Sequence, residues 1–495
     1  MTTEPATAMR VEVRKGAYRD SVALMRVTRE VAAVPGVEAA LVAMATDLNL
    51  GILADMGGVA PEGTGPDDLL IAARAADDAA LASALATAET ELAAMSAGGD
   101  GAAPADVPPR TLRTAARQAQ AQGTPATLAL VSVPGRYAAA EAFDALEAGL
   151  DVLVFSDNVP VEQEVALKRT AEELDRLVMG PDCGTAMVGG AGLGFANAVR
   201  PGPVGVVAAS GTGAQQVMCL LDAAGVGTSH CLGVGGRDLS AAVGGASTRR
   251  ALRMLDEDPG TERIVLVSKP PAPQVAEEVR RLAEGLRTPV HTVLAGTEGS
   301  DITAAVADVV AAAGGSVPRW PSWLPVQTPP GRTGALRGLF CGGTLAQEAA
   351  AVASGTLGPV AFGGDPAGPE AGGHLVIDFG DDAFTLDRPH PMIDPAARTE
   401  RFAAELADPA VAAVLADVVL GHGAHPDPAA GLVEALAKAD PRRPHAVVSL
   451  CGAAGDSQGR DEQAERLRRA GAEVYGSNSA AARRAAALAA GAEPA

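Results

Sequence analysis

Twice in this chain a short apolar run stops at a turn of small residues and a helix-forming stretch begins at once. The first copy reads VGVVAASGTGAQQV, from Val204 to Val217; the second reads RGLFCGGTLAQEAA, from Arg337 to Ala350. Each run suits a buried strand. The turns, Ser210-Gly211-Thr212 and Gly342-Gly343-Thr344, expose free backbone N–H groups at the positive end of a helix dipole, with no side chain in the way. Gly213 and Leu345 complete the two helix starts. Two of them point to two anion cradles, and an anion held between two helix ends is usually a phosphate. Tight strand-to-helix connections also need Gly and Thr for geometry and capping, so it is the repetition in a shared frame that favours the ligand.

The repeat extends beyond the turns. Asp258-Pro259 precedes the strand RIVLVSK, and Asp408-Pro409 precedes AAVLADVVLG, at roughly the offset that separates the turns. The chain therefore reads as an internal duplication of a doubly wound domain, with segments 201–318 and 331–495 as the copies. Ahead of them, 110–200 alternates the strands LALVSV and VLVF with helices, the pattern of a parallel sheet covered on both faces. Segment 9–95 reads as a small α+β module, and SAGGDGAAPADVPP as the linker that follows it.

Composition narrows the class. A chain of 495 residues holds three or four domains with sizeable cores. The net charge of −21 argues against nucleic acid as the main partner. No stretch of about 18 apolar residues escapes a charge, Gly or Pro, so no membrane span is expected. No basic-then-apolar leader is visible at the N-terminus. The five cysteines are scattered without paired spacing, which fits free thiols in a reducing cytoplasm.

Other residues carry chemistry. Lys269 ends the buried strand IVLVS, at the carboxyl edge where doubly wound sheets bind ligands; its plain alternative is a snorkelling surface lysine. Arg237 sits with Asp238 in the glycine-rich GVGGRDLS, where a guanidinium can grip a carboxylate or phosphate with two hydrogen bonds, or can form an ordinary loop ion pair. The loop DFGDDAFTLDRPHPMIDP gathers Asp378, Asp381, Asp382, Asp387, Arg388, His390 and Asp394. Prolines hold Arg388 and His390 in a stiff frame, which makes His390 the candidate general acid/base. GHGAHPDP adds His422, His425 and Asp427, but in both loops the spacing is too loose to assign a metal site. Cys183 in GPDCGT has no base placed beside it, and small buried cysteines are common.

These elements resemble known enzymes. Segments 110–200 and 201–318 together resemble the α subunit of succinyl-CoA synthetase, through SVPGRYAAAEAFDALEAGLDVLVFSDNVPVEQEVALKR, GPDCGTAM, GVVAASGTGAQQ and IVLVSK. Segment 331–495 resembles the C-terminal domain of its β subunit. Over nearly the whole chain the pattern is similar to the FdrA family, carried by RKGAYRDSVALM, VAMATDLN, LVMGPDCGTA, ASGTGAQ, GVGGRDLS, VSKPPAP, RGLFCGGTL, DFGDDAFTLDRPHPMIDP and VVLGHGAHPDP. The resemblance implies an α/β fold: a Rossmann-like CoA-binding-type domain, two duplicated flavodoxin-like domains and a small α+β N-terminal module. It also implies acyl-CoA-synthetase-like ancestry, and likeness to a component of oxamate carbamoyltransferase that works with other protein subunits.

Departures shape the expected chemistry. The synthetase carries phosphate on a histidine in the loop after the strand that PVHTVLAG matches. Here that strand leads into TEGSDITAAVADV, which has no histidine. The glutamate that would steady the phosphohistidine aligns with Lys269. No ATP-grasp segment precedes 331–495, and no glycine-rich nucleotide-type turn opens a CoA site. The expectation is direct phosphate chemistry: oxalurate and phosphate interconverting with oxamate and carbamoyl phosphate, with Lys269 and Arg237 compensating charge over the cradles. Phosphate or carbamoyl phosphate is then substrate rather than cofactor, and CoA stays open as a ligand. The rivals are a CoA- and nucleotide-dependent acyl-CoA ligase and a non-catalytic scaffold subunit.

Overall fold

The computed structural model describes residues 8–17, 19, 21–97, 109–294, 301–363, 373–385 and 388–492. They fall into two compact units, Met1–Pro109 and Arg110–Ala495.

In the first unit, strands β1 (Ala8–Arg14), β2 (Val37–Met44) and β3 (Leu69–Ala75) alternate with helices α1 (Ser21–Ala32), α2 (Asp47–Asp55) and α3 (Asp78–Ala97). The sheet is antiparallel in the order β1-β3-β2. The strand LLIAARA takes the centre because nearly every residue in it is buried. Its partners are two-faced. Leu24, Val27 and Val31 of α1 and Leu81, Ala84, Ala88 and Leu92 of α3 close one face of the sheet. Thr46 caps α2 by accepting from Asn49 N–H, which stops the chain continuing as strand.

The second unit opens with helix α4 (Leu112–Ala121) and a three-stranded parallel sheet of β4 (Leu128–Val131), β5 (Asp151–Val154) and β6 (Val178–Met179). Helices α5 (Gly135–Glu147) and α6 (Val161–Glu173) connect its strands. A hairpin of β7 (Thr185–Val188) and β8 (Ala191–Gly194) follows. Although the sequence groups this hairpin with 110–200, its strands extend the next sheet. That sheet contains β9 (Pro201–Ala208), β10 (Thr228–Gly233), β11 (Arg263–Ser268) and β12 (Val290–Leu294), in the order β12-β11-β9-β10-β7-β8. Its helices are α7 (Gly211–Ala223), α8 (Ala246–Glu257), α9 (Pro273–Glu284) and α10 (Ile302–Ala312).

The last sheet runs β13-β19-β18-β17-β14-β16-β15. Its strands are β13 (Ser322–Trp323), β14 (Ala335–Phe340), β15 (Val360–Phe362), β16 (His374–Asp378), β17 (Val411–Val419), β18 (His445–Cys451) and β19 (Ala472–Tyr475). Helices α11 (Gly343–Leu357), α12 (Asp382–Thr385), α13 (Ala396–Ala407), α14 (Ala430–Lys438), α15 (Arg460–Arg469) and α16 (Asn478–Ala489) complete it. The orders β10-β9-β11-β12 and β16-β14-β17-β18 are the same topology, all parallel. Both follow the flavodoxin-like order, in which the first strand lies inside the sheet and the chain reverses direction beside it. The fold is thus α/β, with the duplicated copies expected from the sequence. Among the described residues no helix is long and apolar enough to cross a membrane.

The copies are packed against each other. From Thr212 to Asp222 every residue of α7 is buried, so this helix is enclosed on all sides. Its two glutamines show what surrounds it. Gln215 Nε2 donates to Phe195 O at 2.6 Å and Leu420 O at 3.0 Å, and Gln216 Nε2 donates to Gly476 O at 2.9 Å. Their amide N–H groups find carbonyl partners in this way because a buried donor left unpaired costs about 1–3 kcal/mol.

Candidate active site

The two glycine-threonine turns meet. Ser210 Oγ bonds Thr344 Oγ1 at 2.5 Å. Reciprocally, Thr212 fills the place where Gly342 would carry a side chain: a Cβ there would stand 2.4 Å from Thr212 Cγ2 and 2.7 Å from its Cβ. The first residue of each turn therefore faces the third residue of the other, as in a two-fold interface where residue i touches j and j touches i. Further along, Gln216 and Glu348 hold the same place in the repeat and also cross over. Gln216 reaches Gly476 before α16, and Glu348 Oε1 accepts from Ile302 N–H at 2.6 Å at the start of α10. Thr303 Oγ1 and Ser477 Oγ, at 2.7 Å, close the same axis. The duplication read from the sequence is an internal dyad, and the two helix starts lie across it.

The helix starts are not equally capped. Ser210 accepts from Gly213 N–H at 3.0 Å and so satisfies one donor of α7. Gly342 offers no side-chain cap, and α11 opens without one. By position, its first N–H groups at Gly343, Thr344 and Leu345 have no carbonyl within the helix. Gly343 and Gly211 are partly exposed, whereas Thr344 and Leu345 are buried.

Around the uncapped start stand two ionisable groups. Asp378 closes β16, and its Oδ2 would lie 2.5 Å from a Cβ at Gly343. Lys269 directly follows β11 in the other copy and crosses the dyad, so that its Nζ would lie 3.8 Å from the same Cβ. Only glycine leaves room at 343 for both. Asp378 Oδ1 accepts from Gly380 N–H at 2.9 Å. Burial pushes the Asp378 carboxyl up to about 7, with the Asp417 charge adding and the Lys269 ammonium opposing. Asp417 itself is buried between Cys341 N–H and Arg398 Nη1, its Oδ1 taking both at 2.9 and 2.5 Å.

A further polar atom faces the first start. Thr185, 2% exposed, has an Oγ1 without a partner among the described residues. It is the atom nearest to where Gly211 would carry a side chain, at 3.7 Å. At the dyad-related positions the groups are apolar: Gly233 stands where Asp378 does, and Val419 where Lys269 does. The polar groups are thus concentrated on one side of the axis.

The other sequence candidates lie elsewhere or are engaged. Arg237 Nε binds Glu164 Oε2 at 2.9 Å and its Nη2 binds Val159 O at 2.8 Å. Glu164 in turn joins Lys168 and Asp238 in a buried ion cluster. Of the two readings of Arg237, the loop ion pair is the one the structure contains. His390 stacks on Phe195, ring centroids 5.6 Å apart, and its Nδ1 accepts from Met392 N–H at 3.2 Å. Its Nε2 lies by Gly380, the residue that bonds Asp378. Burial, with the Arg398 charge, pushes the imidazole down to about 4, so it is neutral at pH 7. Arg388 is exposed, and Asp387 lies outside the described residues.

Asp381 and Asp394 accept from Ala383 and Ala396 N–H at the starts of α12 and α13, ordinary capping work. Asp427 pairs with Arg466 at 2.6 Å, and His425 Nδ1 accepts from Asp427 N–H. No group of three metal-ligating side chains occurs among the described residues. Cys183 is buried, its thiol pushed up to about 12 by burial, which removes it as a nucleophile. His291 lies in β12, and residues 295–300, which follow it, are outside the described set.

Asp378 was visible in the sequence only as one aspartate among many. Its distinguishing signal was its position as the last residue of HLVID, paired with Phe340 at the end of β14 just before the second turn.

Residues 339–488 match the family model described as CoA-ligase, and residues 7–108 match one described as AllF, heavy metal-associated domain. The Escherichia coli K12 protein YahF is 36% identical, over 94% of this chain and 95% of its own length. The chain belongs to the FdrA family. Two further relatives match in part. The malate–CoA ligase subunit alpha of Methylorubrum extorquens is 29% identical over 35% of this chain and 60% of its own length. The succinate–CoA ligase [ADP-forming] subunit alpha 1 of Archaeoglobus fulgidus is 31% identical over 30% and 50%. The chain therefore spans about half of each ligase subunit it matches. This FdrA-family chain carries a CoA-ligase-like domain, and the meeting point of the two turns lies within and beside it. Its segment 7–108 contains no cysteine and no histidine, the ligands that soft and borderline metals favour.

Proposed function

We propose that this chain is the phosphate-handling subunit of a carbamoyltransferase. It would interconvert oxalurate plus phosphate with oxamate plus carbamoyl phosphate, in company with other protein subunits. One observation carries the reading: the uncapped start of α11 faces Lys269 Nζ from the opposite copy, at a glycine whose missing side chain leaves room for that ammonium and for Asp378. Unpaired N–H groups and an ammonium are the donors an attacking phosphate needs, and they require no reorganisation as charge develops. Thr185 Oγ1, buried and unpartnered, adds a hydroxyl at the neighbouring start. His390 lies near this group, but its Nδ1 is engaged by Met392 N–H and its ring packs on Phe195, and the sequence has no histidine in the loop where the synthetase carries its phosphohistidine. The family resemblance supplies the identity of the substrates.

The coarser kinship, a CoA-ligase-like domain, favours the acyl-CoA ligase as the second reading. One experiment separates them: the chain purified with its native partners is assayed for phosphate-dependent cleavage of oxalurate and for CoA-dependent nucleotide hydrolysis. The carbamoyltransferase reading expects the first activity and no acid-labile label on histidine after incubation with γ-labelled ATP. CoA-dependent hydrolysis with labelled histidine would replace it with the ligase, and neither activity would leave the scaffold.

A further inference from the structure

Between its two oxygens and its two neighbours, Asp378 is placed as more than a counter-charge. One oxygen is committed to Gly380 N–H, while the other stands directly over Gly343 at the uncapped helix start. Lys269 faces the same point from the opposite copy. A carboxylate is an unexpected neighbour for a phosphate, because two anions repel. It becomes useful when it carries a proton, since it then donates to an anion instead of repelling it. The surroundings favour that form: the side chain is largely buried and Asp417 adds negative charge across Phe340 of β14. The nearest imidazole, His390, has its Nδ1 engaged by Met392 N–H and its Nε2 against Gly380, so it is poorly placed to exchange protons with a ligand at Gly343.

We propose that Asp378 is the proton-transfer residue of this site. The step rests on the phosphate-transfer reading above. Monohydrogen phosphate attacks the ureido carbonyl carbon of oxalurate, and a carbon–oxygen bond forms. Protonated Asp378 gives its proton to the nitrogen as the carbon–nitrogen bond breaks, and the carboxylate left behind takes the proton of the phosphoryl hydroxyl. Oxamate then leaves with its amide completed, and carbamoyl phosphate remains as the dianion. In reverse, the same carboxyl gives its proton to the phosphoryl oxygen and, as the carbon–nitrogen bond forms, takes one from the oxamate nitrogen. No oxidant, reductant or further reactant is required.

The test measures protons directly. Sulfate, which does not titrate near neutrality, is bound to the full chain with its partners by calorimetry at pH 7, in two buffers of different ionisation enthalpy. With Asp378 titrating near 7, anion binding draws in roughly half a proton per sulfate. In Asp378→Asn sulfate still binds, but the uptake disappears; Asp378→Ser repeats the measurement with a smaller group should the amide disturb Gly343. In carbamoyl transfer, kcat of Asp378→Asn should fall about 10²–10⁴-fold, with the limb of the pH–rate profile near 7 lost and KM for phosphate little changed. Sulfate binding with the same proton uptake in wild type and both variants would overturn the role of Asp378. Absence of any sulfate binding to the wild type would overturn the phosphate site itself.

Discussion

Glu348 offers the sharpest test of the internal dyad. Its carboxylate is fully buried, Oε1 accepting from Ile302 N–H and Oε2 from Asn478 Nδ2 at 2.8 Å. Burial raises it from 4.5 to about 7. Its dyad mate Gln216 is already an amide, donating Nε2 to Gly476 O, so Glu348→Gln places the same side chain at both positions of the repeat. The sign follows from the protons bound. Between the unfolded and folded pKa values the native state holds more protons, so stability falls as pH rises through that window. A rise from 4.5 to about 7 corresponds to roughly 3 kcal/mol when both states are ionised, most of it lost between pH 5 and 8. The variant has no such slope. It exchanges an acceptor for a donor opposite Asn478, whose Oδ1 lacks a partner among the described residues. An amide flip of Asn478 can use that oxygen, but it gives up the bond from Nδ2 to Leu345 O, costing about 1 kcal/mol. Near parity is expected at pH 5, with the variant ahead by about 2 kcal/mol at pH 8. Urea unfolding at both pH values, followed by tryptophan fluorescence, reads the right part of the molecule: the two tryptophans, Trp320 and Trp323, both pack on cores of the second unit. Parallel stability–pH curves for wild type and variant would refute the reasoning.

Two further substitutions probe the helix starts. Gly342→Ala drives a methyl into Thr212, and overpacking of this kind should cost about 1–3 kcal/mol in the same unfolding assay; an unchanged midpoint would mean the two turns are not in contact. Lys269→Glu places a carboxylate beside Asp378 and should reduce sulfate affinity at least about tenfold. Lys269→Arg should retain part of it, because a planar guanidinium does not replace a point ammonium. Both should leave the unfolding midpoint within about 0.5 kcal/mol of wild type, and equal calorimetric affinity in all three proteins would make Lys269 an ordinary surface cation.

Much of the architecture is written in local pattern. A run such as IVLVS or AAVLADVV must be a buried strand, and SGTG or GGTL must end it and begin a helix, because steric and hydrogen-bonding demands act within a few residues. Repetition of that unit, with Asp-Pro ahead of a buried strand in each copy, is enough to read the duplicated doubly wound fold from the chain itself. Local pattern does not say which strand pairs with which sheet, so the hairpin at 185–194 reads as part of one segment and hydrogen-bonds in the next. Nor does it say where a side chain's partners come from. Arg237 looked available in its glycine-rich loop, yet Glu164 from 73 residues away holds it. His390 looked poised between prolines, yet burial against Phe195 and the charge of Arg398 keep it neutral. Lys269 and Asp378, 109 positions apart in the chain, gain meaning only because the dyad brings the end of one copy's strand to the uncapped helix of the other. Charge, burial and pKa depend on distance in space, and only the tertiary structure sets that distance.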